Sequence, residues 1–179
     1  MSSLVTRPLF GGAIVAETPA NLIDASDVRQ VPDTQEVFLY PNSSVSIIVE
    51  ILQRVEPVHF EDAIKFHFDS VAHDNSAQSV LVHSVTVVLN DRGDDTPSAI
   101  VLRGSQRVPK FNRTTPDDVR IFMALFRVEH KEIDLVVTFN VPVMTLDRGA
   151  VGSEGLEQAE SDFNKFVTSF RICDYGLFA

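Results

Sequence analysis

Hydrophobic and polar residues alternate along this chain with two periods, and the change from one to the other marks out the elements. Gly11 to Ala16 is a short apolar run that reads as a strand. Pro19 to Asp33 mixes Pro, Asn, Asp and Ser with isolated apolar residues, a pattern of surface loops and short elements. Gln35 to Tyr40 reads as a strand stopped by Pro41-Asn42. Ser46 to Val55 places Ile47, Ile48, Ile51 and Leu52 on one stripe and predicts a short helix. Pro57 opens a second helix, with Phe60, Ile64, Phe68 and Val71 at helical spacing, Ala63 and His67 beside them, and an end at Asp74-Asn75-Ser76. Glu61 and Lys65 form a favourable pair on its outer face.

Strands follow. Val80 to Leu89 and Val119 to Glu129 carry apolar residues on both parities. Ala99 to Val108 is a strand that Gly104 is expected to break. Ile133 to Val141 sets Ile133, Leu135, Val137, Phe139 and Val141 on one face and the more polar Asp134, Thr138 and Asn140 opposite. Asn90-Asp91-Arg92-Gly93 and His130-Lys131-Glu132 are short connections, which force antiparallel pairing. A last helix carries Leu156, Ala159, Phe163, Phe166, Val167 and Phe170 on one stripe, with Ser153 in its N-cap region. Strands that are apolar on both faces need cover on both. The expected class is therefore α+β: an antiparallel sheet with helices on each face, an α/β/α sandwich.

Composition narrows the function classes. With 179 residues the chain fits one domain, spanning residues 1–179. No apolar run approaches the ~20 residues that cross a bilayer, and the first residues carry no secretory pattern, so neither a membrane nor export is expected. One cysteine, Cys173, cannot form an internal disulfide; the reading is a reduced compartment, with Cys173 a small core residue. Net charge is −10, which makes nucleic acid a poor partner and a basic protein surface a better one. Acidity for solubility alone explains that charge equally well.

The familiar chemical motifs are missing. Neither phosphate-binding glycine pattern occurs. Val151-Gly152-Ser153-Glu154-Gly155 departs from the serine-nucleophile elbow at its first position and reads as a helix-start loop; an acyl hydrolase would also need a histidine beside Ser153. His59, His67, His73, His83 and His130 fit no metal spacing and read as structural or surface residues. Asn42-Ser43-Ser44 and Asn112-Arg113-Thr114 match the glycosylation pattern, which is empty without secretion. No cofactor or metal is expected.

One segment stands apart. Asp24, Asp27, Asp33 and Glu36 fall within thirteen residues, with Arg29 among them. Asp24 to Asp27 suits a single turn capped by Asp24 or Ser26, and Pro32-Asp33-Thr34 suits a tight turn feeding a strand. Asp33 and Glu36 would then stand together at the strand's start. Capping, turn chemistry and solubility account for these residues without any further function.

Leu9-Phe10-Gly11-Gly12-Ala13-Ile14, Leu22-Ile23-Asp24-Ala25-Ser26 and Val28-Arg29-Gln30-Val31-Pro32-Asp33-Thr34-Gln35-Glu36-Val37-Phe38 together resemble the Ran guanine nucleotide release factors, the Mog family of nuclear-import proteins. Ser46 to Leu52 is similar to the family's first helix, and Asp174 to Ala179 to its fungal C-terminus. The resemblance runs from about Leu9 to Ala179, with Asp74 to Thr115 matching only in pattern. It implies a PsbP-like α/β/α sandwich, binding to the small GTPase Ran, release of Ran's nucleotide without enzymatic chemistry, and residence in nucleus and cytoplasm. It places the Ran-contacting acids at Asp33 and Glu36. Arg29 would orient them or touch Ran itself, and Asp24 and Asp27 belong to the same candidate surface. A monomer is expected. A docking module of the same fold, with no effect on nucleotide affinity, is the alternative.

Overall fold

The computed structural model describes residues 3–109, 115–145 and 149–179. Among them lie ten strands and two α-helices. A three-stranded antiparallel sheet is built from β1 (Leu4–Leu9), β2 (Ile14–Pro19) and β10 (Arg171–Ile172), in the order β1-β2-β10. The larger sheet has β3 (Ile23–Asp24), β4 (Gln35–Leu39), β5 (Ser46–Gln53), β6 (Ser79–Val88), β7 (Ala99–Val108), β8 (Asp117–Val128) and β9 (Ile133–Met144). Its order is β3-β4-β5-β9-β8-β7-β6, and every pairing is antiparallel. The helices are α1 (Phe60–Asp74) and α2 (Ser153–Ser169).

Alternation along β8 sorts the core. Phe122, Ala124 and Phe126 join Phe163, Phe166 and Phe170 of the α2 region. Ile121, Met123 and Leu125 join Ala63, Ile64 and Phe68 of α1. Each fully buried phenylalanine contributes roughly 1.5–3 kcal/mol. Stacked and edge-on ring pairs reinforce the first cluster, with Phe126 and Phe170 centroids 4.0 Å apart.

Several expectations need correction. The first apolar run is no strand at its start: Phe10–Gly12 forms a 3₁₀ turn with φ of +51° at Phe10, +69° at Gly11 and +94° at Gly12, and the strand begins at Ile14. Ser46 to Val55 is not a helix but mostly β5. Its run of Ile47, Ile48, Val49 and Ile51 is β-branched and sits between β4 and β9, burying Ile47 and Val49. α1 starts at Phe60, not Pro57, and Phe60 is 37% exposed. Gly104 does not break β7. A Cβ there would lie 2.6 Å from the Leu81 carbonyl oxygen and 3.0 Å from the Phe68 ring, so glycine is required for α1 to seat on the strand. α2 begins after Gly152 as N-cap, and Ser153 supplies no side-chain cap. Cys173 is exposed rather than in the core. The edge strand β6 is apolar on both parities but only part-covered: Leu81 is 58% exposed, and Val80 and Val87 nearly half. The Asn112 glycosylation pattern lies outside the described residues.

Candidate functional site

The acidic segment is organised by two short devices. After β3, Asp24 ends the strand and caps a 3₁₀ turn over Ala25–Asp27; its Oδ1 accepts from the Ser26 N–H at 2.9 Å and from the Ser26 hydroxyl at 2.7 Å. Farther on, a turn returns the chain to β4, with the Gln35 N–H donating to the Pro32 carbonyl at 3.0 Å. The Thr34 carbonyl accepts from the Ile51 N–H at 2.9 Å, which extends the β4–β5 ladder to the turn. This leaves Asp33 exposed at the turn and Glu36 half-buried one residue into the strand.

Asp24, Asp33 and Glu36 line one open groove of about 380 Å³, walled by Phe10, Val31 and Leu177. The two expected carboxylates do stand together there, but they are not equivalent. Asp33 faces solvent, whereas Glu36 Oε1 accepts from the Phe10 N–H at 2.9 Å. The Glu36 carboxyl titrates above its ordinary value because burial disfavours its charge. The Phe10 amide opposes that rise, and the neighbouring Asp24 charge adds to it. Asp27 and Arg29 are exposed beside the groove and do not line it. Arg29 donates its backbone N–H to the Ala25 carbonyl at 2.9 Å and forms no ion pair among the described residues. A metal-binding cluster is absent among the described residues.

The groove is thus a concave, net negative surface with apolar walls, one free carboxylate and one anchored carboxylate. It can accept charge-assisted hydrogen bonds from basic groups. Residues 7–142 match the family model described as Ran-interacting Mog1 protein. This chain belongs to the Mog1 family. It is 38% identical to the Ran guanine nucleotide release factor of Homo sapiens, over 96% of this chain and 95% of that protein. It is 32% identical to the nuclear import protein mog1 of Schizosaccharomyces pombe, over 75% of each. The crystal structure of the Saccharomyces cerevisiae Ran-binding protein Mog1p superposes with a TM-score of 0.75 at 25% identity, covering 100% of both chains.

The matched span holds every acid of the groove, but not its far wall. Leu177, in the 3₁₀ turn Tyr175–Phe178, closes the groove from the other end of the chain. Periodicity could not find that wall, because Leu177 belongs to no long element. The resemblance of Asp174 to Ala179 to the fungal members of the Mog1 family was its one sequence signal.

Sequence reasoning also missed a buried polar network outside the groove. Asp134 of β9 is fully buried. Its Oδ2 lies 2.8 Å from His67 Nε2, and its Oδ1 accepts from Arg127 Nε at 2.8 Å. Arg127 also donates to the Pro57 carbonyl at 2.7 Å, and the Val55 N–H reaches Asp134 at 3.2 Å. The network fastens the segment between β5 and α1 to the sheet. No motif announces it, since its members lie on three separate elements.

Proposed function

We propose that this protein binds the small GTPase Ran through the groove of Asp24, Asp33 and Glu36 and promotes release of Ran's guanine nucleotide, in support of nuclear protein import. The observation that carries the site is Asp33 and Glu36 lining one groove with the Asp33 carboxylate open to solvent. Family membership and the names of the relatives support the partner. A role in import would have the protein working in nucleus and cytoplasm. The two core clusters, one with α2 and one with α1, support the finer reading of residues 1–179 as one domain, a PsbP-like sandwich with the helices on opposite faces of the large sheet.

A GTPase holds its nucleotide through a phosphate-binding loop, a lysine and a magnesium ion. A binding protein loosens that hold only if it prefers the nucleotide-free form. Asp33, whose carboxylate accepts from no backbone donor among the described residues, pairs with a basic group on Ran. Glu36 keeps the Phe10 N–H on one oxygen and offers the other. Asp24 is committed to its cap and adds negative potential. Arg29 and Asp27, at the rim, tune encounter more than affinity. No bond is made or broken, so the effect is one of differential binding.

The test is stopped-flow release of a fluorescent guanine nucleotide from Ran. Wild-type protein is expected to accelerate release. The double variant Asp33→Lys, Glu36→Lys should lose several kcal/mol of Ran affinity if the pairs are desolvated. Release at the wild-type rate by that variant would refute the site. Binding of Ran with an unchanged release rate would make the protein a docking module.

A further inference from the structure

Phe10 serves the groove twice. It walls the space, and its backbone N–H donates to Glu36 Oε1 at 2.9 Å. The backbone that aims this N–H is uncommon. Phe10 has a φ of +51°, a left-handed value that a bulky residue rarely adopts, and Gly11 at +69° and Gly12 at +94° follow it. A Cβ at Gly11 or Gly12 would meet nothing within 4 Å. The two glycines are needed for their backbone angles and not for room. Leu9 pairs with Ile14, so the loop is longer than the two-residue turn that commonly closes a hairpin.

Backbone strain of this kind persists only where the surroundings hold it, and it gathers at sites of function. Here the surroundings do hold it. The Ala13 N–H donates to the Phe10 carbonyl at 3.3 Å, and the Ala13 carbonyl accepts from the Cys173 and Asp174 N–H groups at 2.7 and 3.1 Å. The turn is pinned between the small sheet and the segment that leads to Leu177. Within the groove it governs Glu36. Burial drives that carboxyl toward its neutral form and Asp24 drives it the same way, while the Phe10 amide opposes both. No neighbouring charge replaces the amide. Asp33 is a further acid of the groove. Arg7 lies over the Phe38 ring, 5.1 Å from its centroid, and donates to the Thr18 hydroxyl and the Pro19 carbonyl. Glu50 of β5 accepts from Gln35 Nε2 at 3.1 Å, and Asp174 accepts from the Gly176 N–H at 2.8 Å.

We infer that the Phe10–Gly12 turn is a positioning element for the Ran contact: its Phe10 N–H fixes one oxygen of Glu36 and so presents the other to a basic group of the partner. The turn touches Ran through nothing but Glu36 in this role, which rests on the function proposed above. Wild-type affinity for Ran falls as Glu36 takes up its proton. Without the amide, that uptake comes at higher pH, so the fall in affinity moves toward the alkaline side.

Two changes remove the device. Phenyllactic acid in place of Phe10 puts an ester oxygen where the N–H was and leaves every side chain intact. Gly11→Val disfavours the left-handed backbone, and Gly11→Asn, which tolerates it, is the conservative rescue. Ran affinity is read by fluorescence anisotropy at fixed salt from about pH 5.5 to 8, beside wild type, Glu36→Ala and Asp33→Lys, Glu36→Lys. The ester and Gly11→Val proteins are expected to lose about tenfold near pH 6 and less near pH 8, with Gly11→Asn following wild type. In the Glu36→Ala background the ester should cost nothing further. Should Gly11→Val fail to fold by circular dichroism, the ester decides alone. Wild-type affinity in the ester protein, a loss equal at every pH, or a loss that persists with Glu36→Ala overturns the inference and leaves the groove standing. If Glu36→Ala and Asp33→Lys, Glu36→Lys bind Ran as wild type does, or wild type does not bind it, the groove falls and the inference with it.

Discussion

At the scale of single residues, the same side-chain type does opposite work in two places. Glu36 is a carboxylate whose burial costs more than its single amide returns, so it is held above its ordinary value. Asp134 is more deeply enclosed, and burial alone would raise it too. His67, Arg127 and the Val55 amide outweigh that and bring it down from 3.8 to about 2. Between those values the native state binds fewer protons than the unfolded chain. The stabilisation from Asp134 is therefore complete above about pH 4 and is lost as pH falls toward 2. Asp134→Ala should cost about 3–5 kcal/mol at neutral pH, because it strands a buried guanidinium. Urea unfolding at a series of pH values checks this: the gap to wild type should narrow as pH falls from about 4 toward 2. A gap that stays constant across that range would deny the network its charge.

At the scale of elements, what could be read depended on whether a segment's neighbours are close in sequence. β8 and β9 were legible because they follow one another, β8 filling both parities and β9 carrying one strongly apolar face. α1 and α2 were legible from their stripes, to within a few residues at the start. β5 was misread because Ile47, Ile48, Ile51 and Leu52 satisfy a helical stripe as well as a strand. Only its partners, β4 from upstream and β9 from some ninety residues downstream, make the extended form the better one. β1 escaped notice since Pro8 interrupts it; as the edge of the small sheet it can lack that N–H. In the site, Asp24, Asp33 and Glu36 were legible through their turn chemistry. The Phe10 amide on Glu36 and the Leu177 wall were not, because nothing local records contacts of that range. Gly104 was noticed and misjudged: its absent side chain admits the Phe68 ring instead of interrupting β7. Gly104→Ala should therefore unseat α1 at a cost of about 1–3 kcal/mol, read as a melting point several degrees lower, at roughly 2–4 °C per kcal/mol. An unchanged melting point would mean that helix and strand have slack between them.

At the scale of the whole molecule, 25 acidic against 15 basic residues set a field that reaches beyond any one contact. Association with Ran should slow several-fold as NaCl rises from about 0.05 to 0.3 M, as the Debye length shrinks; stopped-flow mixing at matched concentrations reads it. A rate indifferent to salt would argue against steering by this charge. The same field bears on β6. From Ser79 to Val88 that border strand contains no acid, lysine, arginine or proline, and nothing pairs with its outer side among the described residues. Mutual repulsion between copies is then its main safeguard against zipping onto itself. Near pH 4.8, where the repulsion vanishes, the protein should cloud on standing, and a lysine placed at Val80 or Val87 should keep it clear.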